Sequence, residues 1–302
     1  MEKILNINNV SEYNSANNHK TLHPLVSIID FSKAEIRDWG DVHSIKFQYG
    51  MYCIYLKDVK CGDIRYGRHY YDYQAGTLVF FAPQQVSSIE NTGIYQPVGH
   101  GLIFHPDLIR GTSLAKSIHE YSFFNYQSNE ALHLSDDERA IILDCFAKIE
   151  FELKQPIDKH SKKLITANIE LFLDYCERFY DRQFITRDIA HKGILEKFED
   201  LLNNYFDSEK PQLIGLPSVA YFADELHLSA NYFGDLIKKE TGQSAKEYIQ
   251  NKTIEVAKDK VFDAEKTVNE IAYELGFKYP QHFTRLFKQK VGVSPSEFKY
   301  LN

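Results

Sequence analysis

The sequence predicts a two-domain α+β protein, in which a β-rich N-terminal domain is followed by helices and then by an all-α C-terminal domain. Three observations lead to this prediction. Short runs of aromatic and β-branched residues, separated by turn residues, occupy about the first 130 positions. Apolar residues then recur at helical spacing beyond residue 133. Roughly the last ninety residues contain an internal repeat whose segments also have helical spacing.

Composition places the chain among ordinary globular proteins. Of its 302 residues, 43% are hydrophobic and 25% are charged, which excludes a disordered or collagen-like chain. No apolar run approaches the ~18 to 20 residues that cross a bilayer, and the N-terminal residues lack the features of a signal peptide. We therefore expect a cytoplasmic protein that does not enter a membrane.

Cysteine and charge patterns narrow the function classes further. The four cysteines form no C-x-x-C pair, so the sequence predicts neither structural zinc nor a disulfide framework. We expect no metal and no cofactor. The formal net charge is −7, but residues 211–302 carry twelve basic and twelve acidic side chains. The excess negative charge therefore lies in the first two thirds of the chain.

The first predicted domain covers residues 1–134. Strand-like segments occur at 44–49, 51–56, 77–82 and 101–104, several of them with alternating apolar and polar residues. Turn residues separate these segments, as is typical of an antiparallel sheet or a small barrel.

Helices are predicted from residue 135 onward. Ser135 and Glu138 form a capping box at the start of a helix that ends near Pro156. The following elements are a second helix at 161–182, a third at 193–206 and a loop at 207–212.

The second of these helices is a candidate dimerisation element within a helical segment at 135–185. Its apolar residues recur at intervals of four and three, a seam that packs either against the sheet or against a second copy of the chain. The opposite side carries Leu164, Leu171 and Tyr175. Dimerisation and burial within the domain stand as equal alternatives. The seam consists of Ile165, Ile169, Phe172, Cys176 and Phe179.

The internal repeat relates residues 218–226 to residues 267–275 at an offset of 49. Each unit is predicted as helix, short turn and helix, with Gly242 and Gly292 as left-handed helix ends. After a one-residue difference in the turn, the aligned pairs are Phe233 and Phe283, Leu236 and Leu286, Lys238 and Lys288, Gly242 and Gly292, Ser244 and Ser294, and Tyr248 and Phe298.

Each unit predicts a helix-turn-helix, in which a bracing helix supports a second helix that enters the major groove. The two units cover 218–240 and 267–290, and their small Ala223 and Ala272 permit close approach of the helices. Residues 245–261 contain no proline or glycine and predict a connecting helix. This connector would hold two reading helices in successive major-groove segments, about 34 Å apart.

The C-terminal residues resemble the AraC/XylS family of transcription regulators. The matching motifs are Glu-Leu-Gly-Phe at 274–277, Gln-His-Phe-Thr-Arg-Leu-Phe-Lys at 281–288 and Gly-Val-Ser-Pro at 292–295, within a resemblance that covers about residues 190–302. It implies a non-enzymatic activator of transcription that binds double-stranded DNA as a homodimer. It also implies a small-molecule effector and RNA polymerase as partners. The sequence does not identify the effector or the target DNA, and repression stays open as the alternative to activation.

The N-terminal domain is similar, more distantly, to the cupin-like arm of the same family. The similarity lies at 75–83 and 101–108, and it implies a cupin-like barrel before the helices and the double helix-turn-helix. Gln84 and Gln85 stand where a metal-dependent cupin is expected to have histidine, and no His-x-His occurs. This departure argues against a metal enzyme and favours a small-molecule sensor or a structural arm.

Helical geometry assigns eight side chains to DNA. Gln and Arg suit adenine and guanine edges, and lysines at the ends of the reading helices suit phosphates, although a solvated surface is the alternative for each. The acidic Asp235 departs from the family pattern, and it can accept from cytosine N4 or pair with Lys238 or Lys239. The predicted DNA-binding residues are Asn231, Asp235, Lys238, Lys239, Gln281, Thr284, Arg285 and Lys288.

Candidate ligand-binding residues in the first domain are Arg65, His69, Tyr71 and Tyr73, which would line a barrel mouth. Aromatic residues in strands are more often core, so this assignment competes with a structural one. Two other functions remain open: a cupin enzyme fused to a DNA-binding domain, and a helical module that binds protein partners. The first lacks metal ligands, and the second is favoured by the zero net charge of residues 211–302.

Overall fold

The computed structural model of the chain divides into two compact units, the N-terminal domain (Met1–Thr186) and the C-terminal domain (Arg187–Asn302), which are considered in turn. Within the described residues, no helix is both long enough and apolar enough to cross a membrane. The structure describes residues 4–33, 37–38, 44–58, 64–66, 69–70, 76–90, 94–95, 98–126, 130–186, 188–263 and 266–301.

The first unit is rich in β-structure and also contains helices. Its strands are β1 (Ile4–Ile7), β2 (Val26–Asp30), β3 (Arg37–Asp38), β4 (Ser44–Tyr49), β5 (Tyr52–Lys57), β6 (Ile64–Tyr66), β7 (His69–Tyr70), β8 (Thr77–Phe81), β9 (Val86–Glu90), β10 (Ile94–Tyr95), β11 (Gly99–Phe104) and β12 (Leu132–His133). Its helices are α1 (Val10–Ala16), α2 (Pro106–Ile109), α3 (Leu114–Ser117), α4 (Asp136–Leu153) and α5 (Ser161–Thr186).

The described strands form three sheets. One has the order β1-β4-β9-β6-β7, a second has the order β12-β8-β5-β11-β2, and β10 pairs with β3. The pairing is antiparallel, except that β1 runs parallel to β4. The predicted β-rich domain is therefore present, but these strands do not close into one barrel, and a cupin-like barrel is not confirmed.

The sheet that contains β5 and β8 is apolar on both faces. Cys53 and Tyr55 of β5 lie in one buried cluster, together with residues of α1 and β4. On the opposite face, Phe80 of β8 contacts Tyr180 of α5, with the ring centroids 6.2 Å apart. Since side chains alternate along a strand, an all-apolar strand is what a sheet covered on both faces requires.

The helices α4 and α5 complete the first unit. The predicted capping box is present, because the Ser135 hydroxyl accepts from the Glu138 amide and the Glu138 carboxylate accepts from the Ser135 amide. Helix α4 ends at Leu153, close to the predicted end near Pro156, whereas α5 continues to Thr186, beyond the predicted end at residue 182.

The predicted dimerisation seam on α5 lies inside the first unit. Ile165, Ile169, Phe172 and Cys176 are each at most 1% exposed, and the Phe172 ring lies 5.2 Å from that of Phe146 on α4. A second copy would not contact these four side chains in this conformation, because α4 and the sheet already cover them. Their part in a dimer stays a prediction, and the structure favours the alternative of burial within the domain.

The second unit is helical throughout its described residues. Helix α6 begins at Asp188, before the predicted start at 193. The predicted loop at 207–212 is partly helical, because α7 starts at Lys210 and packs against α11. The helices are α6 (Asp188–Phe206), α7 (Lys210–Ile214), α8 (Val219–Glu225), α9 (Ala230–Thr241), α10 (Ala245–Val261), α11 (Val268–Glu274), α12 (Pro280–Val291) and α13 (Pro295–Leu301).

Candidate nucleic-acid interface

The two halves of the repeat fold in the same way. Helices α8 and α9 form the first helix-turn-helix unit, and α11 and α12 form the second helix-turn-helix unit. In the turns, the Leu228 amide donates to the Ala223 carbonyl at 2.8 Å, and the Phe277 amide donates to the Ala272 carbonyl at 2.9 Å. This bond spans six residues and closes the bracing helix in a Schellman motif. The sequence repeat is therefore a structural repeat at the level of single hydrogen bonds.

The inner faces of the helices are apolar, as predicted. Ala223 and Ala272 are at most 2% exposed, so each bracing helix approaches its reading helix closely. Fully buried phenylalanines lie at the matching positions Phe233 and Phe283, and Phe222 and Phe287 are also fully buried. Burial of these rings is the main force that fixes each reading helix on its bracing helix.

Each turn contains one residue with a left-handed backbone. In the first unit this residue is His227, with φ of 57°, and in the second it is Gly276, with φ of 91°. A Cβ atom on Gly276 would lie 2.5 Å from the carbonyl carbon of Gly215 and 2.8 Å from the amide nitrogen of Leu216. The segment after α7 therefore packs backbone to backbone on the turn of the second unit, and only glycine fits there.

Helix α6 belongs to the core of the first unit. The Phe198 side chain is fully buried, and its ring centroid lies 5.2 Å from that of Phe222, 5.0 Å from that of Phe233 and 5.5 Å from that of Tyr248. These rings belong to α8, α9 and α10, so one side chain joins these three helices to α6. The core around the first unit thus contains four helices.

The connector α10 spans Ala245–Val261, as predicted. Ser244 and Glu247 form a capping box at its start. Hydrogen bonds from the hydroxyl and amide of Ser244 stabilise the carboxylate and lower the pKa of Glu247. Since α10 is unbroken, the two units keep a fixed separation along it.

Polar contacts attach α10 to helices on both sides. The Tyr248 hydroxyl donates to the Glu199 carboxylate on α6, and burial together with this bond raises the pKa of Tyr248 to about 12. At the other end, Glu274 on α11 accepts from Lys266 at 2.7 Å and lies 3.5 Å from Lys260 of α10. These contacts join α10 to α6 at one end and to the bracing helix α11 at the other.

The outer faces of the reading helices carry the predicted DNA-binding residues. Asp235 and Thr284 are partly buried, and the Thr284 hydroxyl donates to the Pro280 carbonyl at 3.2 Å. The exposed members of the set are Asn231, Lys238, Lys239, Gln281, Arg285 and Lys288. The structure thus places four predicted residues on α9 and four on α12, and their contact with DNA stays a prediction.

Two lysines at the end of α12 lie close to acidic groups. Lys288 lowers the pKa of Glu297, after the larger effect of hydrogen bonds from Ser294. Lys290 similarly contributes to the lowered pKa of Glu247. Arg285 has no such partner in the part of the chain that the structure describes, so its guanidinium is available to a ligand.

The predicted ligand-binding residues of the N-terminal domain are not brought together into a described site. The backbone of Arg65 lies in β6 and that of His69 in β7, and their strands pair with each other. Tyr71 and Tyr73 lie outside the described residues. The ligand-binding assignment therefore stays a prediction.

Sequence reasoning missed the role of three residues that position the interface. Phe198 and Glu199 precede the repeat, so no alignment of one unit with the other could reveal them. Gly215 precedes the first bracing helix and meets Gly276 only in the folded chain. A signal existed for Phe198, since apolar residues recur at helical spacing over 193–206, but this pattern does not say what the helix packs against.

Comparisons with known proteins agree with this geometry. Residues 222–300 match the family described as a helix-turn-helix domain. The chain is 30% identical over 148 residues to the uncharacterized HTH-type transcriptional regulator YfiF of Bacillus subtilis, covering 49% of this chain and 44% of YfiF. It is 37% identical over 78 residues to the uncharacterized transcriptional regulatory protein YesN of the same species, covering 25% of this chain and 21% of YesN.

Among solved structures, the C-terminal domain of the two-component response regulator yesN from Fusobacterium nucleatum is 22% identical, with a TM-score of 0.31, and the match covers 34% of this chain and 95% of that domain. The chain spans less than half the length of the curated relatives it matches. The family match includes most of both units, from α8 to α13. Residues 222–300 of this chain are therefore similar to a helix-turn-helix domain family and to proteins named as transcriptional regulators.

Proposed function

We propose that the chain is a DNA-binding transcriptional regulator of the AraC type. One observation carries the proposal: two units with the same turn hydrogen bonds present exposed, polar reading helices at the two ends of an unbroken connector. Exposed Asn, Gln and Arg side chains on such helices suit base edges in the major groove. The matched relatives are named as transcriptional regulators, which favours regulation over the enzyme alternative.

Sequence selection from random duplex DNA tests this proposal. We expect the full chain to enrich one motif with two conserved segments about one helical turn apart, because α10 separates the reading helices. The protein-partner alternative predicts no enrichment and no dependence of DNA retention on salt. Enrichment of nothing by a folded chain would remove the proposal.

Arg285→Ala is expected to weaken binding to the selected sequence by about 1–3 kcal/mol and to relax the preference at one base pair. The reason is that an arginine on a reading helix donates two hydrogen bonds to guanine. The measurement is the affinity for the selected duplex and for its variants at that position. Arg110→Ala, which removes an exposed arginine of the N-terminal domain, is the control. An equal loss of affinity in both variants would contradict the role of Arg285.

We infer that the regulator acts as a homodimer through the exposed side of α5. Leu164 and Leu171 are 44% and 41% exposed there, and Asn168 and Tyr175 complete a spacing of four, three and four residues. This spacing is that of a coiled-coil seam, in which a single Asn sets the register. We propose this exposed seam as the dimer contact in place of the predicted seam that begins at Ile165. The buried side chains of the predicted seam then remain in the core of the N-terminal domain.

The double variant Leu164→Glu, Leu171→Glu is expected to convert the dimer into a monomer, because charges on the seam repel their copies across it. Sedimentation equilibrium of the full chain measures the mass. Leu213→Glu places the same charge on a more exposed leucine of the C-terminal domain and should leave the mass unchanged. If the double variant keeps the dimer mass while its circular dichroism is native, another surface joins the copies.

The N-terminal domain would then be the sensory and dimerising part of the regulator. We infer a small-molecule effector that acts on it, with Arg65, His69, Tyr71 and Tyr73 as candidate contacts. Activation through RNA polymerase, a cupin-like arm and a cytoplasmic location belong to the same proposal.

A further inference from the structure

The two helix-turn-helix units carry opposite net charge. Residues 218–242 contain four acidic and two basic side chains, whereas residues 267–292 contain two acidic and four basic ones. The net charge is therefore −2 in the first unit and +2 in the second. Because DNA carries a dense negative charge, the second unit is attracted to any duplex and the first is not.

In the second unit, the acidic side chains are held away from the reading helix. Both lie on the bracing side: Glu270 accepts from the amide of Thr267 at 2.7 Å, and Glu274 accepts from Lys266. The reading helix α12 contains Arg285, Lys288 and Lys290 and no acidic residue. The charged side chains of α12 are thus all basic, and they lie between its middle and its C-terminal end.

In the first unit, acidic side chains lie on the reading helix itself. Helix α9 contains Asp235 and Glu240 beside Lys238 and Lys239. Asp235 is one turn beyond Asn231 on the outer face, and it is partly exposed. A carboxylate in this place approaches the floor of the groove and passes close to phosphates on the way.

We propose that the second unit supplies most of the attraction to DNA of any sequence, in addition to reading one base pair through Arg285, and that the first unit adds selection of the site through Asp235. This inference rests on the proposed function. Where the carboxylate faces the acceptor atoms of guanine or thymine it is repelled, so binding is weakened there. At a cytosine it accepts a hydrogen bond from the N4 amino group. Discrimination thus comes from a penalty at wrong sites as well as from a contact at the right one.

The first test compares Asp235→Asn with Asp224→Asn in the full chain. Asp224 is exposed on the bracing helix α8, so the control makes the same charge change in the same unit away from the reading face. We expect Asp235→Asn to bind an unrelated duplex more tightly and to lose about 5- to 100-fold discrimination at one cytosine position. Asp224→Asn should keep the discrimination of the wild type.

The second test compares matched lysines of the two units in a salt series on an unrelated duplex. Lys288→Gln should lower the slope of log affinity against log salt by about 0.9, the value for one lost phosphate contact. Lys238→Gln, at the aligned position of the first unit, should change the slope less. Equal changes in slope, together with unaltered discrimination in Asp235→Asn, would overturn the division of roles.

The outcomes separate this inference from the proposed function. If the wild-type chain selects no sequence, the proposed function itself fails. If it selects a motif but both units respond alike to these substitutions, only the division of roles fails.

Discussion

Replacement of Phe198 by alanine should destabilise the C-terminal domain, residues 187–302, by about 3–5 kcal/mol, the range for loss of a buried phenylalanine. Its ring is fully buried and contacts rings from α8, α9 and α10, so the cavity opens at the centre of the first helix-turn-helix. Denaturant unfolding of the full chain, followed by circular dichroism, measures the change. DNA affinity should fall with it, since α9 loses its support.

Phe262→Ala provides the control for this prediction. That side chain belongs to the same C-terminal domain and is 47% exposed, so its removal costs little burial. An equal loss of stability in both variants would mean that α6 is not part of the core of the first unit. The result matters because Phe198 lies before residue 222, where the family match begins.

Gly276→Ala should be nearly as damaging, with an expected loss of about 2–5 kcal/mol from left-handed strain and steric overlap together. The added Cβ would lie 2.6 Å from the carbonyl oxygen of Gly215, and backbone atoms cannot move aside as a flexible side chain can. The turn between α11 and α12 would open, and α12 would lose its alignment with α11. Thermal unfolding and DNA affinity of the full chain are the measurements.

Gly292→Ala separates the two contributions. Gly292 has φ of 92°, close to that of Gly276, but nothing in the described structure lies within 4 Å of an added Cβ. It should therefore cost only the strain, about 1–2 kcal/mol. A loss at Gly276 no larger than that at Gly292 would show that the contact with Gly215 contributes nothing to stability.

The parts of the fold that sequence predicted well are those that depend on near neighbours. The capping box that begins at Ser135 lies where predicted, because the cap is made within three residues. Gly242 and Gly292 end their helices with the left-handed backbone that was expected. The bounds of α10 follow from the same local rules.

The parts that sequence predicted poorly depend on distant partners. Helix α5 has apolar residues on two sides, and periodicity alone does not say which side meets the sheet; the side with Ile169 and Phe172 is buried. Helix α7 is short, and its contact with α11 comes from a segment far along the chain. Closure of a barrel likewise depends on strand pairings that no single segment encodes.

The double-sided burial of the sheet around β5 and β8 has a consequence for synthesis on the ribosome. All twelve described strands precede α4 and α5 in the chain, so the side of the sheet that bears Phe80 emerges before the helices that cover it. Until residue 186 leaves the exit tunnel, the nascent chain exposes a continuous apolar surface, which is the kind of surface that chaperones bind. Ribosomes that stall between residues 104 and 160 would therefore release an aggregation-prone fragment.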